Sequence, residues 1–597
     1  MQKKITLRSG AIIFLTGIIL IISAILVFSA CVEESPAVSP VFYTVAYSAG
    51  EGGSVNGETV QKIEKGKNAS PVTAVAEDGY EFSKWSDGVT EAEREDKDVG
   101  DNLFVFAVFV KQCWNITYTS NNYKASDLTE PLTLTAEYGS ITGINVVPAV
   151  GYKFVRWSDG VTSPTRIDND SNAGKTIEAI FEIEELSLPV FIVNTQDGQP
   201  ILDKENYVTC EVTVRNTDKE FCFEQAAAGI RGRGNTTWNL SKKPYKLKFD
   251  KKVDLFGNGK AKKWTLIANH ADPSLIRNYM VYSLGAEESG LLNNVMYTTK
   301  VEFVELFLNN EYLGVYLVCE QVEAGSTRVD IDEDIVDKDG NINVNVGYLL
   351  ESDNSYAASE GIENQDYFRI NDKVYAIKSP DTEEDDYLEH KEEFVGFIKQ
   401  KTTEAINTIM LENTVENYEQ VKRLVDINSF VDGYIIDELV DLADREYSSY
   451  YIFYDSADGK FYRGPIWDYD SSIGNAAYHY PGGESDKMHF EKEVDNTWYY
   501  NLLKFDEFKQ AVIDRLNELK ENDNFENFVN QTIDLLLLNY RAFERNFLLW
   551  DILGKNEAEL ANWNSEPVRE IDTWKGQVEF VRKWLLDSFK YLYSYYN

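Results

Sequence analysis

Asp444-Arg445-Glu446-Tyr447-Ser448-Ser449, then Tyr450 to Asp455, a Ser456-Ala457-Asp458-Gly459 turn, Lys460 to Arg463 and Gly464-Pro465-Ile466-Trp467-Asp468-Tyr469-Asp470, is the stretch that decides the fold. Two strand-like runs of similar length around an Asp-Gly turn run out and back as a hairpin. Asp444 and Asp468, 24 residues apart in the chain, then flank its open end, where neighbouring strands lie about 5 Å apart. Upstream, Asp426 to Leu442 reads as a helix with Phe430, Val431, Tyr434, Ile435 and Leu439 on one side. Two or three carboxylates converging in this way suit a magnesium ion plus a base, provided that a phosphate-binding loop lies beside them.

A candidate for that loop is Gly229-Ile230-Arg231-Gly232-Arg233-Gly234-Asn235-Thr236-Thr237-Trp238. Gly232 and Gly234 permit close backbone approach, and Arg231 and Arg233 offer forked donors for phosphate. Next comes Lys242-Lys243-Pro244-Tyr245-Lys246-Leu247-Lys248-Phe249, where Tyr245, Leu247 and Phe249 alternate with Lys246 and Lys248. Such a strand has one apolar and one cationic face. If loop and strand form one hairpin, the lysines lie beneath the loop. Taken singly, each segment has a plainer reading: a tight turn, a solvated strand face, an aspartate capping a turn. Their coincidence is what favours a site.

The chain has 597 residues, room for about four domains at roughly 150 residues each. Lys plus Arg number 58 against 99 Asp plus Glu, a net charge of −41. Phosphate backbones repel such a chain, so nucleic acid is not expected as a partner. Four histidines without an HExxH pair and five cysteines without CxxC argue against zinc and thioredoxin-like chemistry. Gly174-Lys175-Thr176 ends like a Walker loop, but Asn169 stands where its first glycine belongs. Near Asp337-Lys338-Asp339-Gly340, Ile335 and Val336 break an EF-hand register. No Gly-x-Ser-x-Gly elbow is present, and a glycosidase carboxylate pair is the remaining competitor.

At the N-terminus, Lys3, Lys4 and Arg8 precede an apolar run from Ala11 to Ala30 that stops at Cys31. This pattern is that of a secretory signal over residues 1–30. Phe28-Ser29-Ala30-Cys31 resembles the bacterial lipobox, which implies lipid modification of Cys31. Uncleaved, the run is long enough to span a bilayer as an anchor. Either route holds an extracytoplasmic chain to the cell membrane. Residues 32–41 read as a linker. Gly79-Tyr80-Glu81-Phe82-Ser83-Lys84-Trp85-Ser86-Asp87-Gly88 recurs 72 residues later as Gly151-Tyr152-Lys153-Phe154-Val155-Arg156-Trp157-Ser158-Asp159-Gly160. Each copy predicts a small β module, over 42–112 and 113–184, with Tyr, Phe and Trp in its core. The pair is similar to the divergent internalin-type B repeats of bacterial surface proteins, which implies a spacer or adhesive stalk. Cys210 and Cys222 bracket a hairpin turning near Asn216 to Lys219, and a disulfide or two half-buried thiols suit it equally.

From Leu186 short strands run to Leu317, helical segments begin near Glu383, and Lys504 to Asn597 carries Val512, Leu516 and Leu519 at helical spacing. Strands first and helices second read as an α+β domain of two lobes over 186–597, its helical end from about 504 packing on the second lobe. Ile-Arg-Gly-Arg-Gly-Asn from Ile230, Lys-Lys-Pro-Tyr-Lys-Leu-Lys-Phe-Asp from Lys242, Trp264 to Asn269, Leu275-Ile276-Arg277-Asn278, Tyr312-Leu313-Gly314-Val315-Tyr316 and Gly464 to Asp470 stand in one order. In that order, residues 186–545 resemble the spore-coat CotH family of atypical protein kinases. The resemblance implies that the two all-β repeats are followed by a two-lobed protein-kinase-like domain, one that transfers the γ-phosphate of ATP to Ser or Thr of a protein, with Mg2+ or Mn2+.

Carried over by position, Asp444 is the catalytic-loop aspartate, Asp468 the metal aspartate and Asp470 a second ligand. Arg231, Gly232, Arg233 and Gly234 cover the nucleotide, Lys246 or Lys248 holds its α and β phosphates, and Glu320 partners that lysine. Ser448 and Ser449 stand where protein kinases carry an asparagine for a second metal. The expectation is a membrane-tethered kinase acting on exported or cell-surface proteins. The alternative is a non-catalytic adhesion or scaffold protein with a pseudokinase-like module.

Overall fold

The computed structural model describes residues 39–354, 366–478, 485–490 and 496–597. The signal segment, Cys31 and most of the linker fall outside the described residues. Among the described residues no helix is long and apolar enough to cross a membrane.

In the first repeat, Phe42–Ala49 and Leu103–Lys111 pair in parallel at the centre of a four-stranded sheet, with Val60–Glu64 and Tyr80–Trp85 at its edges. Alternation sends Val45, Tyr47, Val105, Ala107 and Phe109 inward around Trp85. The Trp85 indole, fully buried, donates to Glu91 O at 3.0 Å, and in the second repeat Trp157 donates to Ser163 O at the same distance. Arg94 grips Asp87 with both forks and lies over Trp85, and Arg166 grips Asp159 and lies over Trp157. The Trp-Ser-Asp-Gly motif is thus a core indole closed by its own ion pair. In the second repeat, Tyr152–Trp157 pairs with Thr176–Ile183. Its Tyr152 packs edge-on against Phe307 and donates to Asn310 O at 2.8 Å, which fastens that part of the repeat to the next domain.

Seven strands then close a barrel: Val190–Thr195, Val208–Arg215, Phe223–Gly232, Tyr245–Asp254, Lys260–Ile267, Glu311–Glu320 and Val301–Leu308, in spatial order. The first and last pair in parallel, Val190 opposite Glu305, and this removes both edges. Phe191, Val212, Ile230, Leu247, Trp264, Leu306 and Val318 fill the interior. Cys210 is buried there opposite Ala228, whereas Cys222 is exposed toward the turn, so no disulfide joins them. Six residues of strand, about 20 Å, separate Cys222 from the position facing Cys210.

The second lobe has a five-stranded antiparallel sheet, in order Tyr367–Ile370, Lys373–Ser379, Tyr348–Ser352, Tyr450–Asp455 and Lys460–Arg463. Helices cover it, with Ile427–Val440 buried on every side from Ser429 to Val440. The helical end differs from the expectation in one respect: it packs on both lobes. Trp584 donates to Leu439 O at 3.2 Å in the second lobe. Tyr540–Leu549 instead lies on the barrel, where Phe543 meets Phe303 edge-on at 5.0 Å and Arg545 pairs with Glu305.

Candidate active site

The central helix starts at Asp426, whose side chain accepts the Ser429 N–H at 2.8 Å, and ends at Asp441 in a left-handed conformation. That turn sends the chain into Asp444. The hairpin follows, Ile452 opposite Arg463 and Asp455 opposite Lys460. Arg463 locks it to the helix: the fully buried guanidinium donates to Tyr451 O, Tyr499 Oη and Asp437 Oδ2 at 3.0, 3.0 and 3.1 Å.

The strand exit is shaped by the short helix Arg277–Leu284, which continues the Leu-Ile-Arg-Asn motif. Asp468 N–H donates to Tyr282 Oη at 3.0 Å and Tyr469 N–H to Asn278 Oδ1 at 2.7 Å. Arg277, neutralised by Asp272, donates to the carbonyls of Ser472 and Ile473 at 3.0 and 3.1 Å. Held this way, Asp468 adopts φ +69°, a strained region for aspartate that the surrounding bonds maintain.

Asp444, Asp468 and Asp470 therefore line one cleft of about 610 Å³ between the barrel and the second lobe. Burial and the neighbouring Asp468 push the Asp444 carboxyl up to about 6, against a 3.1 Å bond from Tyr478 Oη. Burial raises Asp468 as well, opposed by Arg233 and by a 3.1 Å bond from Ser449 Oγ. Asp470 is lifted well above the usual carboxylate range, by burial and then by Asp468, Asp272 and Asp444. Three carboxylates that resist ionisation, chiefly because they are buried and, for Asp444 and Asp470, because Asp468 lies beside them, form a place where positive charge is missing.

Across the cleft stand Arg233 and Gly234. Arg233 lies over the Trp467 ring at 5.6 Å, beside Asp468. Gly234 has φ +81°, and a Cβ there would collide with Thr237 Oγ1. Gly232 sits a step away, packed on Trp238, and Arg231 turns outward to Lys204 O and the Tyr207 ring. The lysine expectation is corrected. Tyr245, Leu247 and Phe249 face the barrel interior, so Lys246 and Lys248 point out of the barrel wall. Lys246 sits beside Arg231 and the Lys263–Glu323 pair, its ammonium brought down to about 8 by burial and then by Arg231. Lys248 lines a separate exterior groove. Glu320 pairs with Arg328 rather than with either lysine.

The lysine that does reach the cleft is Lys242, which sequence reading passed over. Its buried Nζ donates to Ala268 O and Asn546 Oδ1, each at 2.9 Å, and to Val315 O, over the Tyr316 ring. All three N–H groups are used, so Lys242 pins the cleft wall.

The family model described as CotH kinase protein matches residues 230–592, more than half of the chain. The chain belongs to the CotH kinase protein family. The model described as divergent InlB B-repeat domain matches residues 43–113 and 117–185. Comparison with curated proteins gives no match. As a CotH kinase protein with a kinase-like function, the chain is a multidomain molecule: all-β repeats, then a two-lobed α+β domain with a helical end.

Proposed function

We propose that this CotH kinase protein transfers the γ-phosphate of ATP to Ser or Thr hydroxyls of exported or cell-surface proteins, tethered outside the cytoplasmic membrane by Cys31 lipidation or by its N-terminal apolar run. The observation that carries the reading is the meeting of Asp444, Asp468 and Asp470 opposite Arg233 and Gly234 in one cleft. Their donor set, carboxylates with the Ser449 hydroxyl at Asp468, is oxygen only and fits Mg2+ or Mn2+. Among the described residues no group of three or more His, Cys, Asp or Glu is placed to hold a metal ion. Magnesium in kinase-type sites needs no such group, since one or two carboxylates and substrate phosphates suffice. Asp468 and Asp470 would hold the ion, which supplies neutralisation of phosphate charge.

Asp444 orients the acceptor hydroxyl and receives its proton as the new P–O bond forms and the β,γ-bridging P–O bond breaks to release ADP. A pKa of about 6 leaves Asp444 ionised at neutral pH and close enough to it for proton transfer. Arg233 offers the forked donor for phosphate, and the backbone at Gly234 approaches it closely. The test uses residues 39–597, which contain every described element. ATP with Mg2+ or Mn2+ at 100-fold saturation should stabilise the protein by about 2.7 kcal/mol, and labelled ATP should mark Ser or Thr of a protein substrate. Both signals should vanish in Asp468→Ala, and labelling alone in Asp444→Ala. Neither signal in the unsubstituted protein would favour the scaffold reading, in which the Ser449 bond to Asp468 is purely structural.

A further inference from the structure

The two repeats share a core and differ on one outer face. On Leu103–Lys111, Val105, Ala107 and Phe109 point inward, and 72 residues later Ile177, Ala179 and Phe181 do the same. The outward positions of the first copy are Phe104, Phe106, Val108 and Val110; in the second they are Thr176, Glu178, Ile180 and Glu182. Phe104 is 70% exposed and Phe106 49%. The adjoining strands extend this surface: Val60 and Phe104 flank Ala46 in register, and exposed Phe42 carries Lys62 over its ring at 4.9 Å. A module whose fold needs only its inner face has no use for phenylalanines in water, and its own sister copy does without them.

What covers the face follows from where it sits in the chain. The apolar run ends at Ala30, twelve residues before Phe42, so even fully extended the connection reaches only about 40 Å. At that tether length a weak surface affinity suffices, because the local concentration of bilayer is high. Exposed aromatic rings with a lysine beside them are the composition of interfacial membrane contact. We infer that the outward face of the first repeat, centred on Phe104 and Phe106, rests on the lipid surface and holds the chain's first module against the bilayer. The inference relies on the reading that the N-terminal run anchors the chain, and not on phosphotransfer. It also accounts for the polar face of the second repeat, which stands farther along the chain from the anchor.

The test places a polarity-sensitive fluorophore on Phe106→Cys, and in parallel on Glu178→Cys, in the full chain with Cys31, Cys113 and Cys222 changed to serine. The protein is reconstituted into phosphatidylcholine vesicles, neutral so that the net charge of −41 does not oppose contact. Relative to residues 39–597 in solution, iodide quenching at position 106 should fall at least fivefold and quenching by acyl-chain nitroxide should appear, while position 178 stays unchanged. Equal iodide access at 106 in a chain that floats with the vesicles overturns the lipid-contact face alone. A chain that does not float overturns anchoring by the apolar run, on which the inference rests, and the inference with it. Shielding at 106 that arises in solution as protein concentration rises assigns the face to a second copy and overturns the lipid assignment.

Discussion

Asp444, Asp468 and Asp470 each hold protons more tightly in the folded chain than free carboxyls do, Asp444 up to about 6. The sign of the linkage follows: a carboxyl with a raised folded pKa favours folding most below its unfolded pKa, about 3.9, and that contribution is lost as pH rises through the folded value. At neutral pH without a cation the cleft therefore costs stability. Asp468→Asn removes one repelling charge, so calorimetry of the metal-free protein near pH 7.5 should show a higher Tm, by about 1 °C for each kcal/mol relieved in a domain of this size. The same change should abolish transfer. The transfer rate of the unsubstituted protein should rise with pH through about 6 as Asp444 ionises. A lower Tm for the variant would mean that the bond from Ser449 outweighs the repulsion. Gly234→Ala meets a different obstacle, a left-handed φ of +81° and collision with Thr237 Oγ1. It should cost about 1–2 kcal/mol and weaken ATP binding in the thermal-shift titration.

Two elements, the hairpin and the central helix, are joined by a single buried cation. Each of the three guanidinium nitrogens of Arg463 has a partner, Tyr499, the Tyr451 carbonyl or Asp437, and Tyr469 and Tyr499 donate to the same carboxylate at 2.5 and 2.7 Å. Arg463→Leu strands the Asp437 charge in the interior and should destabilise by about 3–5 kcal/mol, read from urea unfolding. Adding Asp437→Leu should recover part of the loss, and a second loss on top of the first would show the pair to be stabilising in itself. The hairpin was legible in the sequence because its signals are local: an Asp-Gly turn between two runs fixes register without reference to the rest of the chain. The placement of Lys246 and Lys248 was not legible. Alternation separates two strand faces but does not say which faces the cleft, and closure of a seven-stranded barrel turned the apolar face inward and the lysines out. Nor could sequence show that Asn278 and Arg277 hold Tyr469, Ser472 and Ile473, since those bonds span more than 190 residues.

Across the whole molecule, the helical end works as a clamp on both lobes: Asn562 and Trp563 line the cleft, and Asn546 holds the cleft-lining Lys242. The Asn546 Oδ1 accepts from the buried ammonium of Lys242 at 2.9 Å and from the Val315 N–H at 3.1 Å. Gly314 has φ +94° and no room for a Cβ beside that same oxygen. Burial drives the Lys242 ammonium well below its usual pKa, and its three acceptors work against that loss of charge. Asn546→Ala removes one acceptor from a buried cation and one from a buried amide together. The expected loss is about 3–5 kcal/mol, the range for breaking a buried charge contact. Lys242 also lines the cleft, so ATP binding should weaken beyond what lower stability explains, measured by titration well below the variant's Tm. Asn546→Asp separates the two effects. A carboxylate keeps both acceptor roles and pairs with the ammonium, so stability should largely return and ATP affinity with it. Restored stability with affinity still lost would mean that the amide itself, and not the pinning of Lys242, sets the cleft wall.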